Sequence, residues 1–259
     1  MASSAQSTPA ESDSLCEGCG YRLNGLPPDS RCPECGKPGL ESLGDHRKRT
    51  AWELSSGRRA PFALLTTAIA VILHPARFYR NLATRNPDPA ARHFGEIFWL
   101  ITSLLFAWAG FEHLSWTLGL SPINHGGHFE LWLGNVHIGQ AIAEPAIFIV
   151  LAALSYFFLN WITHLAATLT TWEAGYRGYR LPRAVVLRGM YYHAAHYLPV
   201  AAIAAATVVT FRYLLDSHII NDSRGPTYLL VLSAEVVLGA FYLFETYWIG
   251  MRNMMYANR

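Results

Sequence analysis

Charged residues are scarce in this chain of 259 residues. They make up 15% of it, against about 25% in typical soluble domains, while 52% of the residues are hydrophobic. The net charge of +2 gives no overall bias towards polyanions such as nucleic acid. From Gly95 onward the charges become sparser and the apolar runs become longer, a pattern that is typical of membrane-spanning segments.

Cysteine is absent outside one N-terminal stretch, so no disulfide can form in any later loop. The sequence also lacks the motifs of common catalytic sites: Gly-x-Ser-x-Gly, the phosphate-binding loop, Gly-x-Gly-x-x-Gly and His-Glu-x-x-His. We therefore predict that the protein is not an enzyme. Residues 1–14 lack both the basic start and the apolar stretch of a secretory signal, and we expect them to form a disordered leader.

The four cysteines form two Cys-x-x-Cys pairs, each followed by glycine: Cys16 with Cys19, and Cys32 with Cys35. Each pair places two thiolates on one side of a tight turn, and two such turns supply the four soft ligands of a closed tetrahedral zinc site. We predict a zinc ribbon over residues 15–40, with a rubredoxin-like iron site or two disulfides as the alternatives. The site has no open ligand position, which indicates a structural role. So short a segment cannot bury a sufficient core, so metal binding would supply its folding energy.

Four later segments are long enough to cross a bilayer core of about 30 Å. They cover residues 97–118, 142–165, 190–214 and 228–249. The sequence thus predicts an all-α membrane protein, with a four-helix transmembrane bundle within residues 94–259. In the third span, Pro199 removes a backbone donor and leaves the carbonyl of Ala195 without its helical partner, which predicts a kink near His196.

The distribution of Lys and Arg predicts the orientation of these spans. Twelve of the twenty precede the first span, four lie in or just after the second loop, and two lie in the C-terminal tail. Only Arg212 and Arg224 lie around the third loop. Because basic residues concentrate on the cytoplasmic side, we expect both termini and the ribbon to lie in the cytoplasm of a bacterial inner membrane.

Residues 41–60 are predicted to be a basic linker, and residues 61–93 to contain interfacial helices. The apolar stretch 62–73 is too short to cross a bilayer and ends at His74 and Pro75. Arginines alternate with aromatic and aliphatic residues over the next few positions, as in helices that lie on a membrane surface near anionic lipid. A short first span remains the alternative.

Several charged or polar side chains fall within the predicted spans, where each needs a partner. Arg212 is expected to pair with Glu144, Glu112 or Glu235 near the outer face, where His113 also lies. A second group lies nearer the inner face: His164, His193, His196 and Glu245. Packing through interhelical hydrogen bonds is the favoured interpretation of that group, with a metal or proton site as the alternative. The outer loop residues Asn124, His125, His128 and His137 are expected to belong to a glycine-rich loop, with weak metal binding as the alternative.

Two short motifs resemble a known family. Ala51-Trp52-Glu53, followed by an apolar helix and the run His74 to Arg80, is similar to the start of bacterial Yip-type domains, a family named for proteins that interact with Rab GTPases. The run from Arg188 to Pro199 is similar to the family's entry into a later span. The resemblance covers about residues 51–250 and implies a multi-pass membrane protein without catalysis, acting in membrane organisation or trafficking. The chain has four clear spans where the family often has five, and it lacks the acidic-aromatic N-terminal motif of the eukaryotic members.

The run from Cys19 to Leu26, closing on Cys-Pro-Glu-Cys-Gly, resembles the zinc ribbon that heads many membrane proteins of planctomycete-type bacteria. Together these features predict a non-enzymatic, Yip-like membrane scaffold whose cytoplasmic ribbon recruits a protein partner, with homo-oligomerisation left open. A small transporter or intramembrane enzyme using the inner His/Glu group is the alternative. A membrane-tethered nucleic-acid reader is weaker still, because its support is one short basic run, Arg47, Lys48 and Arg49, without interleaved aromatics.

Overall fold

The computed structural model describes residues 10, 13–43, 47–84, 89–117, 131–133, 136–138, 140–219 and 226–258, with no side-chain description at 116–117, 131–142 and 216. The expected all-α fold is confirmed. The helices are α1 Leu40–Leu43, α2 Ala51–Leu54, α3 Ala60–Leu73, α4 Pro75–Asn81, α5 Pro89–Thr117, α6 Gln140–Tyr176, α7 Arg183–His193, α8 Tyr197–Asp216 and α9 Pro226–Met254. A small antiparallel hairpin, Leu131–Leu133 with Val136–Ile138, lies between α5 and α6.

Four helical stretches are long and apolar enough to cross a membrane, as the sequence predicted. They are Pro89–Ser115, Ala143–Tyr176, Arg183–Leu215 and Pro226–Met254, of 27 to 34 residues. At 1.5 Å per residue they are about 40–50 Å long, so each extends beyond a hydrocarbon core of about 30 Å. Large apolar side chains are exposed along them, Phe157, Val236 and Phe241 among them. Such continuous apolar exposure indicates contact with lipid.

The third of these stretches is broken close to His196, where Pro199 predicted a kink. Helix α7 ends at His193, a 3₁₀ turn covers Ala194–His196, and α8 begins at Tyr197. Pro199 has no N–H to offer to the carbonyl of Ala195, so a regular α-helical hydrogen bond cannot form there.

The chain divides into two compact units. The first contains Met1–Glu96, Ile162–His196 and Leu243–Arg259, and the second contains Ile97–Trp161 and Tyr197–Tyr242. In the second unit, Ala109 of α5, Ala205 and Val208 of α8, and Tyr228 of α9 form one buried cluster. Gly110 of α5 packs close to Leu151 of α6, so parts of all four long helices contribute to this unit.

The first unit has an aromatic core. The ring of Tyr192 lies 5.2 Å from that of Phe78 and 5.0 Å from that of Phe94, measured between centroids, and Trp52 contacts Phe94 edge to face. The indole N–H of Trp52 donates to the carbonyl of Ala90 at 2.6 Å, which ties α2 to the start of α5. These contacts join α2, α4, α5 and α7.

Helices α3 and α4 meet at a sharp bend of 116°. Pro75 causes it, because its ring excludes His74 from helical geometry; His74 has φ −134° and ψ 53°. The pair Gly57–Leu73 and Pro75–Asn81 is apolar enough to count as one broken span or a re-entrant loop, which would raise the number of spans to five. The geometry is thus compatible with both of the alternatives for residues 62–73.

Close packing in the first unit can be tested at Gly95 of α5. A Cβ atom there would lie 3.2 Å from the Tyr191 ring and 3.3 Å from its Cα, so Gly95→Leu should separate α5 from α7 and destabilise the fold by about 1–3 kcal/mol. Gly175→Leu is the matched control, because a Cβ at that helical position meets nothing within 4 Å. Melting of the full-length protein in detergent measures both, and equal melting temperatures would contradict the packing described here.

Candidate metal centre and buried polar groups

The first Cys-x-x-Cys turn is closed by backbone hydrogen bonds. The N–H of Gly20 donates to the carbonyl of Cys16 at 2.8 Å, and the N–H of Cys16 donates to the carbonyl of Tyr21 at 2.8 Å. Gly20 has φ +82°, a left-handed conformation that favours glycine, and a Cβ there would lie 2.6 Å from the ring of Tyr256. The glycine after the second cysteine is therefore required by both conformation and packing.

The second turn repeats this arrangement sixteen residues later. Gly36 N–H donates to the carbonyl of Cys32 at 2.9 Å, and Cys32 N–H donates to the carbonyl of Lys37 at 2.8 Å. Single antiparallel bridges flank both turns, Leu15 with Arg22 and Arg31 with Pro38. The two turns thus have the same backbone geometry, and each presents its pair of cysteines towards the other.

The four cysteine sulfurs form one compact group. They lie within 4.8 Å of one another, with Cys16 Sγ 3.5 Å from Cys35 Sγ and Cys19 Sγ 3.6 Å from Cys32 Sγ. A tetrahedral site with metal–sulfur bonds of about 2.3 Å has sulfur–sulfur edges of about 3.8 Å, so the donor set fits such an ion. All four thiols are free of disulfides. Cys16, Cys19, Cys32 and Cys35 can therefore hold a metal ion, as predicted.

The backbone around Cys16 favours a thiolate. Burial alone would raise the pKa of this thiol, but hydrogen bonds from the backbone N–H groups of Gly18 and Cys19, and then from the thiols of Cys35 and Cys32, stabilise the anion and lower its pKa to about 7. The thiolate is the form that binds metal. The same backbone N–H groups would reduce the negative charge of a four-thiolate site around a divalent ion.

Arg47 fastens the ribbon to the rest of the first unit. Its guanidinium makes a two-point ion pair with Glu17, with Nε to Oε1 at 2.8 Å and Nη2 to Oε2 at 3.0 Å. It also donates to the carbonyls of Tyr79, Leu82 and Asn253 at 3.0–3.2 Å. Both charged side chains are almost fully buried. Arg47 lies within the predicted basic linker. Its side chain is buried and paired inside the protein, so it is not available to bind nucleic acid.

The C-terminal tail completes the attachment. The side chain of Asn258 accepts from Leu15 N–H at 2.9 Å and donates to the carbonyls of Leu15 and Ser42 at 2.6 and 2.7 Å. Arg180, in the connection between α6 and α7, donates to the carbonyls of Asp13 and Ala257 and to Asn258 Oδ1. The ribbon is thus bound to residues that lie more than 160 positions away in the sequence.

A buried ion pair lies at the centre of the first unit. Arg188 Nη2 donates to Glu53 Oε1 at 2.6 Å, and the Tyr192 hydroxyl donates to the same oxygen at 2.6 Å. Glu53 Oε2 accepts from Thr50 N–H at 3.1 Å in a capping box that begins α2. The two motifs of the Yip-type resemblance, Ala51 to Glu53 and Arg188 to Tyr192, meet here. Neither motif by itself predicts this contact.

The inner His/Glu group is only partly assembled. His193 and His196 are buried with ring centroids 5.1 Å apart, and the ring of His164 contacts Tyr191. His193 Nε2 lies 3.2 Å from the carbonyl of Leu243, a pure acceptor, so this nitrogen carries the proton. Glu245 is exposed. Within the described part of the chain, the only group of three or more His, Cys, Asp or Glu side chains placed to hold a metal is the cysteine cluster.

The outer polar residues pair as expected in the second unit. Arg212 forms its ion pair with Glu112, one of the three predicted partners. His113 Nδ1 lies 2.7 Å from the Tyr228 hydroxyl, and Thr207 donates to Glu235. Asn124, His125 and His128 lie outside the described residues, and the side chain of His137 is likewise not described, so the glycine-rich loop stays a prediction, with weak metal binding as its alternative.

Comparison of the chain with protein-family models, with curated proteins and with solved structures finds no match. The function is therefore inferred from the chemistry of the cysteine cluster and from the contacts of the first unit.

The metal content of the purified full-length protein tests the cysteine site. Elemental analysis should find one metal ion per chain, zinc rather than iron, and Cys32→Ser should abolish it because the remaining three sulfurs leave an open, weaker site. Pro33→Ala, within the same turn but not a ligand, is the control and should retain the metal. Equal metal content in both variants would show that the cysteines are not its ligands.

A double-mutant cycle tests the buried pair. Glu53→Gln or Arg188→Met alone should destabilise the protein by about 3–5 kcal/mol, because each leaves a buried charge without its partner. The double variant should lose less than the sum of the two. Arg177→Met, which removes an exposed pair with Glu173, is the control and should cost at most about 1 kcal/mol. Additive losses in the cycle would mean that the two charges are not coupled.

Proposed function

We propose that this protein is a non-enzymatic multi-pass membrane scaffold, and that its metal-bound ribbon presents a binding surface to a protein partner. The membrane part is supported by four long apolar helices with exposed apolar faces. The metal part is supported by the four converging thiols. A structural metal in a closed sulfur site supplies rigidity rather than chemistry, so it is suited to holding a recognition surface.

The unequal exposure of the two cysteine turns is the observation that carries the proposal. The first turn is fixed through Glu17 to Arg47 and through Leu15 to Asn258. The second turn is exposed after its buried first cysteine, Cys32, at Pro33, Glu34, Cys35 and Gly36. Leu40, at the start of α1, exposes 59% of its surface. The ribbon is therefore attached by one turn and offers the other, together with an exposed leucine, to a partner.

We place this surface in the cytoplasm of a bacterial inner membrane. Eighteen of the twenty Lys and Arg residues fall on the side that carries both termini and the ribbon, which is the side that the positive-inside rule assigns to the cytoplasm. A reducing compartment also keeps four free thiols available for a metal.

A role in membrane organisation, similar to that of Yip-type proteins, is part of the same proposal. Its support is the pair of short motifs around Glu53 and Arg188, which form one buried ion pair. A buried ion pair of this kind fixes α2 and α7 together, because loss of either partner would leave a buried charge, and its side chains are shielded from any substrate. It therefore favours a structural role for the motifs over a catalytic one.

Site-specific crosslinking in intact membranes tests the recruitment. A photoreactive amino acid at Glu34, on the exposed second turn, should give one discrete protein adduct. The same residue at Ser56, which is exposed but outside the ribbon, should not. The adduct should fall several-fold in Cys32→Ser, because loss of the metal releases the turn.

An adduct of equal yield with and without Cys32, or the same adducts at both positions, would contradict recruitment by the ribbon. Leu40→Ser keeps all four thiols and should weaken the adduct without loss of metal. That variant separates the binding surface from the stability of the metal site.

A further inference from the structure

A cleft with a mainly apolar lining and basic side chains at its edge lies beside the bend between α3 and α4. It has a volume of about 370 Å³, within the range of about 300–1,000 Å³ that is typical of ligand pockets. Its walls come from residues 48–51, from α3 through Thr66, Thr67 and Ala70, and from α4 through Arg77, Phe78 and Asn81. None of the described residues that line it is acidic, whereas Lys48, Arg49 and Arg77 carry positive charge and His74 adds a ring nitrogen.

The positive charge of the cleft is not neutralised within its walls. The side chains of Lys48 and Arg77 are exposed and make no hydrogen bond or ion pair with any residue that the structure describes. Arg49 lies 3.9 Å from a Glu53 oxygen, but that carboxylate already pairs with Arg188 at 2.6 Å. Among the residues that the structure describes, Lys48 and Arg77 therefore keep two full positive charges without an acidic partner.

The cleft is held in a fixed shape by its backbone. Lys48 N–H donates to the carbonyl of Asn81 at 2.7 Å, and Ala83 N–H donates to the carbonyl of Lys48 at 3.0 Å. Thr50 is buried, and its hydroxyl lies 2.9 Å from that of Tyr192. Because the segment that carries Lys48 and Arg49 is bonded to the end of α4, the backbone positions of these residues are fixed before a ligand arrives, and only their side chains must become ordered on binding.

The outer face of α3 indicates where the ligand comes from. Phe62, Leu65, Ile69 and Leu73 recur at helical spacing and expose 46–72% of their surfaces. The opposite face is buried, with Ala63, Thr67 and Val71 packed against the protein. An apolar stripe of this size on a membrane protein contacts acyl chains, and it ends at the bend where Arg77 begins the basic rim. Phosphate groups of lipids lie at this boundary between acyl chains and water.

We propose that this cleft binds the phosphate of an anionic phospholipid, with Lys48, Arg49 and Arg77 contacting the headgroup and the exposed face of α3 contacting the acyl chains. Lys and Arg are the side chains that bind phosphate oxygens, Lys as a point charge and Arg as a two-point donor. The inference rests on the membrane part of the proposed function but not on recruitment by the ribbon. It assigns to the α3–α4 bend a specific lipid site rather than a general affinity for the membrane surface.

Native mass spectrometry of the full-length protein in detergent tests the site. The protein is titrated with phosphatidylglycerol, with phosphatidylcholine of the same acyl chains, and with inorganic phosphate. We expect one phosphatidylglycerol molecule to bind preferentially, and Lys48→Gln/Arg77→Gln to weaken that binding about tenfold or more because two charged contacts are lost. Arg58→Gln/Arg59→Gln removes the same charge from exposed positions outside the cleft and should leave the affinity unchanged.

Equal binding of the two lipids, or equal weakening by the two double variants, would overturn the proposal. Binding of inorganic phosphate alone with the same affinity as phosphatidylglycerol would show a soluble phosphate ligand instead, and would overturn the lipid assignment. Ala70→Leu fills the cleft without removing a charge and must also weaken phosphatidylglycerol binding, which keeps the test valid if the double variant fails to fold. Failure of the protein to insert into bilayers of either lipid would instead count against the membrane part of the proposed function.

Discussion

Buried arginines must be paired, and this constraint holds the first unit together. Arg47, Arg180 and Arg188 are each less than a tenth exposed, and their guanidinium groups bind carboxylates or backbone carbonyls. A buried charge without partners costs several kcal/mol, so each arginine fixes the segments that supply its acceptors. Arg47 joins the ribbon to the end of α4 and to α9, Arg180 joins the α6–α7 connection to both ends of the chain, and Arg188 joins α7 to α2.

The features that the sequence predicts well are those encoded locally. The Cys-x-x-Cys-Gly spacing defines a turn of five residues, and the turn places its sulfurs regardless of the rest of the chain. The four spans follow from long apolar runs, because an apolar helix of that length has few alternatives to the bilayer. Pro199 also acts locally, through the hydrogen bond that it cannot donate.

The features that the sequence could not predict depend on distant partners. Arg47 and Arg49 are close neighbours in one basic run. The first is buried and paired with Glu17, whereas the second lines a cleft. A count of basic residues predicts which side of the membrane they occupy, but it does not distinguish a charge that faces water from one that faces Glu17. Glu53 and Arg188 could have been paired by asking which acid compensates an arginine at the start of an apolar span. The sequence offered several acids for that role, and only the fold selects one.

The contact between Leu15 and Asn258 also sets an order of events during synthesis. The two residues are 243 positions apart, so at about 5–20 residues per second the ribbon leaves the ribosome some 12–50 seconds before the tail that will hold it exists. During that interval Arg47 has neither Asn253 nor the end of α9 to bind. Until then the nascent ribbon has only its four thiols and the contacts of Arg47 with Glu17, Tyr79 and Leu82, and docking of the tail would mark the moment when all four long helices have been made.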